Sequence, residues 1–255
     1  MIKKLNFVSD LSLNKSEYRP EIDGLRAFAI LSVVFFHIFP NWLNGGFVGV
    51  DIFFVISGFL ITNHIFRNFE RNQFSFKVFF GKRIRRIFPA LIIVMFSSLI
   101  FGWFTLLPDE FAQLGKHIAS GASFVINFTL VNESGYFDNS SITKPMIHLW
   151  SLAVEEQFYI IWPLVLWFAW KRQINILVIT LFVIFISFYI NLYFLKSNPI
   201  ETFFWPFGRF WELLSGSALA WLLLNKSKYL LSNKLWNKNN SINSSHSKKT
   251  LVNNS

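Results

Sequence analysis

Residues 149–170 read LWSLAVEEQFYIIWPLVLWFAW. Their only ionisable side chains of strong charge are Glu155 and Glu156, and the stretch is as long as a bilayer is thick, which takes about 20 mostly apolar residues. Five further segments satisfy the same criterion: 27–43, 46–66, 87–107, 173–195 and 208–224. The expected fold is all-α, a polytopic transmembrane helix bundle of six spans. Residues 118–131 are apolar but short, and read as a re-entrant or interfacial segment.

Composition agrees. Of 255 residues 53% are hydrophobic and 15% charged, against about 25% charged in soluble domains. There is no Cys, which excludes disulfides, thiolate metal sites and a Cys nucleophile. The formal net charge is +10. In a membrane protein such an excess belongs to cytoplasmic loops, so nucleic acid is not an expected partner. With the N-terminus inside and six alternating spans, Lys116, Lys144, Lys196 and Arg209 fall outside. The rest of the 24 Lys and Arg fall inside, a strong positive-inside asymmetry. Both termini are then cytoplasmic. Residues 1–26 form a cytoplasmic lead-in, 27–224 the membrane domain, and 225–255, rich in Asn, Ser and Lys, a polar tail with the composition of disorder.

Ionisable residues inside a bilayer are costly and mark function. His37, Asp51, Glu155, Glu156 and Glu212 all fall roughly 6–10 Å below the outer surface at 1.5 Å per residue. Arg26 and His37 are eleven apart and share a helix face. His148, Glu155 and Tyr159 also share one, and Arg209 can pair with Glu212 at i, i+3. On the cytoplasmic side Arg83 and Arg86 are three apart, a candidate phosphate clamp, since Arg suits bidentate phosphate contacts. Neither a P-loop nor a dinucleotide-binding glycine motif is present. His117 stands in no pattern. No metal ligand set is expected.

Four strings in order carry a resemblance: 18–27 (YRPEIDGLRA) with Arg26-x10-His37, 45–61 (GGFVGVDIFFVISGFLI), Arg83-x-x-Arg86 before Pro89, and 148–159 (HLWSLAVEEQFY). Together they resemble the acyltransferase 3 family of bacterial integral-membrane O-acyltransferases, over residues 18 to about 220. The resemblance implies the bacterial inner membrane and no tightly bound cofactor. It implies acyl-CoA, usually acetyl-CoA, as cytoplasmic co-substrate. The implied acceptor is an extracytoplasmic or lipid-linked glycan hydroxyl, such as that of lipopolysaccharide O-antigen or another surface polysaccharide. It implies that Arg26 and His37 are catalytic and that Arg83 and Arg86 meet the acyl-CoA.

Such chemistry suits the residues. A neutral imidazole can take the hydroxyl proton, with Asp51 fixing its tautomer, or His37 can itself carry the acyl group. Glu155 and Glu156 can assist proton transfer or hold sugar hydroxyls. His148, Tyr159, Arg209 and Glu212 complete the substrate-binding candidates. The family domain usually has more spans than six, so the chain reads as C-terminally truncated. An inactive remnant is the alternative, and a membrane transporter a more distant one.

Overall fold

In this computed structural model, residues 19–39, 41–133 and 144–226 are described. The expected lead-in before Arg19 and the tail beyond Lys226 lie outside them. The described residues form helices and turns, with no strand among them. The chain divides into two compact units, residues 1–56 and 57–255.

The first unit contains α1 (Pro20–Ile38), a short 3-10 turn (Gly46–Val48) and the beginning of α2 (Gly49–Glu70). Pro20 starts α1, where its missing N–H costs nothing. Two glycines then let the returning chain touch α1. A Cβ on Gly46 would strike the Ser32 carbonyl, and one on Gly49 the Ala29 carbonyl. Ala29 is fully buried there.

The second unit contains the rest of α2, then α3 (Phe76–Thr105), α4 (Pro108–Ala122), α5 (Ile126–Glu133), α6 (Leu149–Lys171), α7 (Ile176–Phe194), α8 (Pro199–Phe204) and a final helix α9 over 210–226. Its core is three helices, α2, α6 and α9, running in the same direction. A buried relay joins them: Trp162 Nε1 donates to Thr62 Oγ1 at 2.9 Å, Thr62 donates to Ser217 Oγ at 2.8 Å, and Ser217 donates to the Leu213 carbonyl at 3.1 Å. One turn earlier Gly58 meets the Leu213 carbonyl so closely that any Cβ would overlap backbone. Close approach through a small residue is how apolar helices associate where water supplies no drive. α3 runs antiparallel to these, with Phe76 beside Trp167, Phe79 beside His64, and Arg83 beside Tyr159.

Four helical stretches are long and apolar enough to cross a membrane: Gly46–Glu70, Phe76–Thr105, Leu149–Lys171 and Ile176–Phe194. They correspond to four of the six expected spans. α1 is as apolar on average as α2 and α3, but Glu21, Asp23 and Arg26 put three charges within it, and it ends at Ile38 and not at 43. α9 follows the direction that alternation requires of the last span. Residues 118–131 are not one segment. α4 ends at Ala122, Phe124 takes a left-handed φ of 55°, and α5 begins at Ile126. Gln157 of α6 fixes this corner, donating to the Phe124 carbonyl at 2.7 Å and to Asn127 Oδ1 at 2.9 Å.

The largest shift is at α3. Apolarity alone places its span at 87–107, leaving the Lys82–Arg86 cluster outside. The helix instead begins at Phe76 and runs for 30 residues. Arg83 is therefore seven residues inside a helix body, and its charge must be answered there.

Candidate active site

The answer to Arg83 comes from α6. Arg83 Nη2 donates to Glu156 Oε1 at 2.9 Å, and the guanidinium lies 3.3 Å from the centre of the Tyr159 ring. Tyr159 in turn donates its hydroxyl to Glu155 Oε1, with the Ser57 side chain of α2 beside this pair. Glu155, Glu156 and Tyr159 are all buried.

Helix periodicity explains the arrangement. Glu155 and Tyr159 are one turn apart, so the phenol reaches back to the carboxylate. Glu156, 100° further around, faces the neighbouring helix α3. A planar guanidinium can pair with a carboxylate in its plane while stacking on an aromatic face, which an ammonium cannot do. The result is a cation and two carboxyl groups held in low-dielectric surroundings by α2, α3 and α6, where an unmatched charge would be strongly destabilising.

One polar atom of this group is left over. The buried Arg83 Nε makes no hydrogen bond among the described residues. A buried donor without an acceptor costs about 1–3 kcal/mol, so an acceptor oxygen beside Tyr159 and Glu156 would be favourable there.

This geometry corrects two expectations. Glu155 and Glu156 were placed near the outer surface and Arg83 on the cytoplasmic side. The 2.9 Å ion pair puts them at one depth, because the helix carrying Arg83 starts eleven residues earlier than apolarity suggests. Arg83 and Arg86 are also not brought side by side. Arg83 turns inward, whereas Arg86 is exposed.

The other candidates are distributed as follows. In the first unit, Arg26 lies with its guanidinium 5.2 Å from the Phe53 ring centre. His37 is exposed, and its Nδ1 is 2.8 Å from the Val33 carbonyl. A carbonyl only accepts, so Nδ1 carries the proton and the neutral ring has its lone pair on Nε2. Asp51, the residue the sequence suggests for fixing that tautomer, is partly buried in the first turn of α2. In the second unit, His148 is the exposed N-cap of α6. Arg209 pairs with Glu212 at 3.1 Å, and Glu212 is only 1% exposed. The Arg209 guanidinium also lies 5.6 Å from the Trp150 and Phe203 ring centres.

Two groups escaped the sequence reading. Ser57 sits within a quoted string but has no distinguishing spacing. His117, set aside as patternless, is buried and 2.6 Å from Glu133 Oε2. Glu133 also receives Lys116 at 2.9 Å and Gln113 at 3.3 Å, and lies 3.6 Å from Lys144. Burial opposes ionisation of Glu133, but the hydrogen bonds and charges of Lys116 and His117 outweigh it and hold the carboxyl down to about 2. His117 and Glu133 are on different helices sixteen residues apart, a pairing no single-helix periodicity reveals.

Sequence comparison adds an independent finding. The acyltransferase 3 family model, described as an acyltransferase domain, matches residues 19–238. The chain is 37% identical over 213 residues to the peptidoglycan O-acetyltransferase OatA of Listeria monocytogenes, covering 81% of this chain and 34% of that protein. It is 35% identical over 214 residues to the O-acetyltransferase OatA of Staphylococcus aureus, covering 80% and 35%. YrhL of Bacillus subtilis, which bears a provisional peptidoglycan O-acetyltransferase name, is 38% identical over 226 residues, covering 86% and 35%. The chain spans about a third of the length of these curated relatives. No solved structure matches it.

Proposed function

Since the chain belongs to the acyltransferase 3 family, we propose that it moves an acetyl group from an acyl-CoA thioester to a hydroxyl of a cell-surface glycan. The names of the relatives favour peptidoglycan over lipopolysaccharide as the acceptor class. The observation that carries this reading is the buried Arg83 Nε with no acceptor, held beside the Tyr159–Glu155 pair. Acyl transfer develops negative charge on the carbonyl oxygen, and a fixed donor aimed at that oxygen from a water-poor site is the strongest single aid to such a reaction. Arg83 is thus assigned to the acyl carbonyl and not to a phosphate.

The positive-inside asymmetry supports a cytoplasmic position for the end of the bundle where α2 and α6 finish, at Glu70 and Lys171. The thioester then enters from that end and reaches Arg83 within the span. His37, with its lone pair on Nε2, is the base for the acceptor hydroxyl or the group that carries the acetyl onward. A pure transporter has no use for a carbonyl-directed donor.

The test is acetylation of surface glycan in a host lacking its own activity. This chain, and its Arg83→Lys and His37→Ala variants, are expressed at matched membrane levels. Acetylation with the parent and at least a hundredfold less with either variant is expected. Equal acetylation by all three overturns the site assignment. No acetylation by the parent, in the presence of peptidoglycan acceptor and acetyl-CoA, favours the inactive-remnant reading.

A further inference from the structure

A cavity of about 210 Å³ lies where α2, α6 and α9 end, away from the Arg83 cluster. Phe66, Trp170 and Trp221 form its walls, and Glu70, Gln173, Asn175 and Asn225 are polar groups around it. Two of the three amides are oriented by the backbone. Gln173 Nε2 donates to the Trp170 carbonyl at 3.2 Å, which leaves Oε1 as its acceptor. Asn175 Oδ1 accepts from the Leu177 N–H at 3.0 Å, capping α7, which leaves Nδ2 as its donor. The cavity therefore has aromatic walls ringed by amides that keep both donor and acceptor capacity, two of them oriented by a backbone hydrogen bond, with the Glu70 carboxylate beside them. Gln173 holds this position with a left-handed φ of 54°, a conformation unusual for a residue other than Gly or Asn.

An aromatic wall with an adjacent acceptor and donor is the complement of a purine edge. The exocyclic amine of adenine donates and its neighbouring ring nitrogen accepts, and the face of the ring stacks on Trp. The volume is roughly seven times the 30 Å³ share of a water molecule, enough for a bicyclic base. Arg71, Lys171 and Arg172 adjoin the lining residues in sequence, so this end of the bundle carries positive charge.

Length fits as well. Tyr159, at the Arg83 cluster, and Trp170, in the cavity wall, are eleven residues apart on α6, which is about 16 Å along the helix. An extended pantetheine arm spans roughly 15–20 Å at standard bond lengths. We propose that this cavity takes the adenine of the acyl-CoA donor, so that the arm runs along α6 and delivers the thioester to Arg83. The proposal rests on the donor reading above.

The test uses adenosine 3′,5′-bisphosphate, which has the base and phosphates but no thioester, titrated calorimetrically into the full chain in detergent. Trp221→Leu keeps the cavity apolar while removing the stacking face. Asn175→Asp keeps the cap on α7 while removing the donor. Each variant is expected to bind the bisphosphate at least tenfold more weakly. Each should raise KM for acetyl-CoA to a similar degree and leave kcat/KM for acetyl-pantetheine, which has no nucleotide, unchanged. Unchanged bisphosphate affinity in two folded variants overturns the subsite, as does no binding to the parent chain. Quenching of Trp221 by brominated lipid with no effect of the bisphosphate assigns the cavity to a lipid tail and also overturns it. If the bisphosphate binds and the variants weaken it, but neither thioester supports transfer, the cavity assignment stands and the donor reading fails.

Discussion

A single side chain, Arg83, ties charge, stacking and an available donor together. Lys at this position keeps the charge but loses the planar fork and the Nε donor. Arg83→Lys should therefore insert and fold, yet lower the rate of transfer by about 10²–10³, with kcat falling more than KM rises. Glu133 permits a prediction outside the spans. Its folded value of about 2 is below the ordinary value near 4.3 for Glu. The stability it confers is therefore complete above about pH 4.3 and is lost as the pH falls toward 2. Thermal unfolding in detergent should show a parent midpoint that drops over this window. Glu133→Gln should be less stable at pH 6 and show a shallower acid decline. An identical decline in both would remove Glu133 from the account.

Among the elements, the contact of α2 with α9 is the most exacting. Gly58→Ala places a methyl group against the Leu213 backbone, which cannot rotate away as a side chain can. The expected cost is about 1–3 kcal/mol, read as a lower unfolding midpoint and a lower yield of folded protein. Thr62→Val interrupts the relay from Trp162 to Ser217 and removes the acceptor of a buried indole N–H, a loss of about 1–3 kcal/mol. Much at this scale was legible in the sequence. Apolar runs located the long helices, and i, i+4 spacing brought Glu155 to Tyr159. The limits are equally physical. Apolarity cut α3 short at its basic cluster, because a sequence pattern does not show that Glu156 on another helix neutralises Arg83. The break at Phe124 was hidden because nothing about a Phe signals a left-handed turn. Ser57, His117 and Glu133 act only through partners distant in sequence.

For the molecule as a whole, sidedness can be read by chemistry, since the chain contains no Cys. In intact cells an impermeant maleimide should label Lys116→Cys, whose parent side chain is 59% exposed, and should label Lys171→Cys only after permeabilisation. The reverse pattern inverts the topology and with it the route of the donor. The three co-directional helices α2, α6 and α9 have a further effect. Each peptide stack carries a macrodipole with about half a negative charge at its C-terminal end, and here all three such ends converge on one side. That field repels phosphate. It also attracts the Arg71, Lys171, Arg172 and Lys226 side chains that close these helices, so the basic residues there counter the dipoles at the mouth of the bundle.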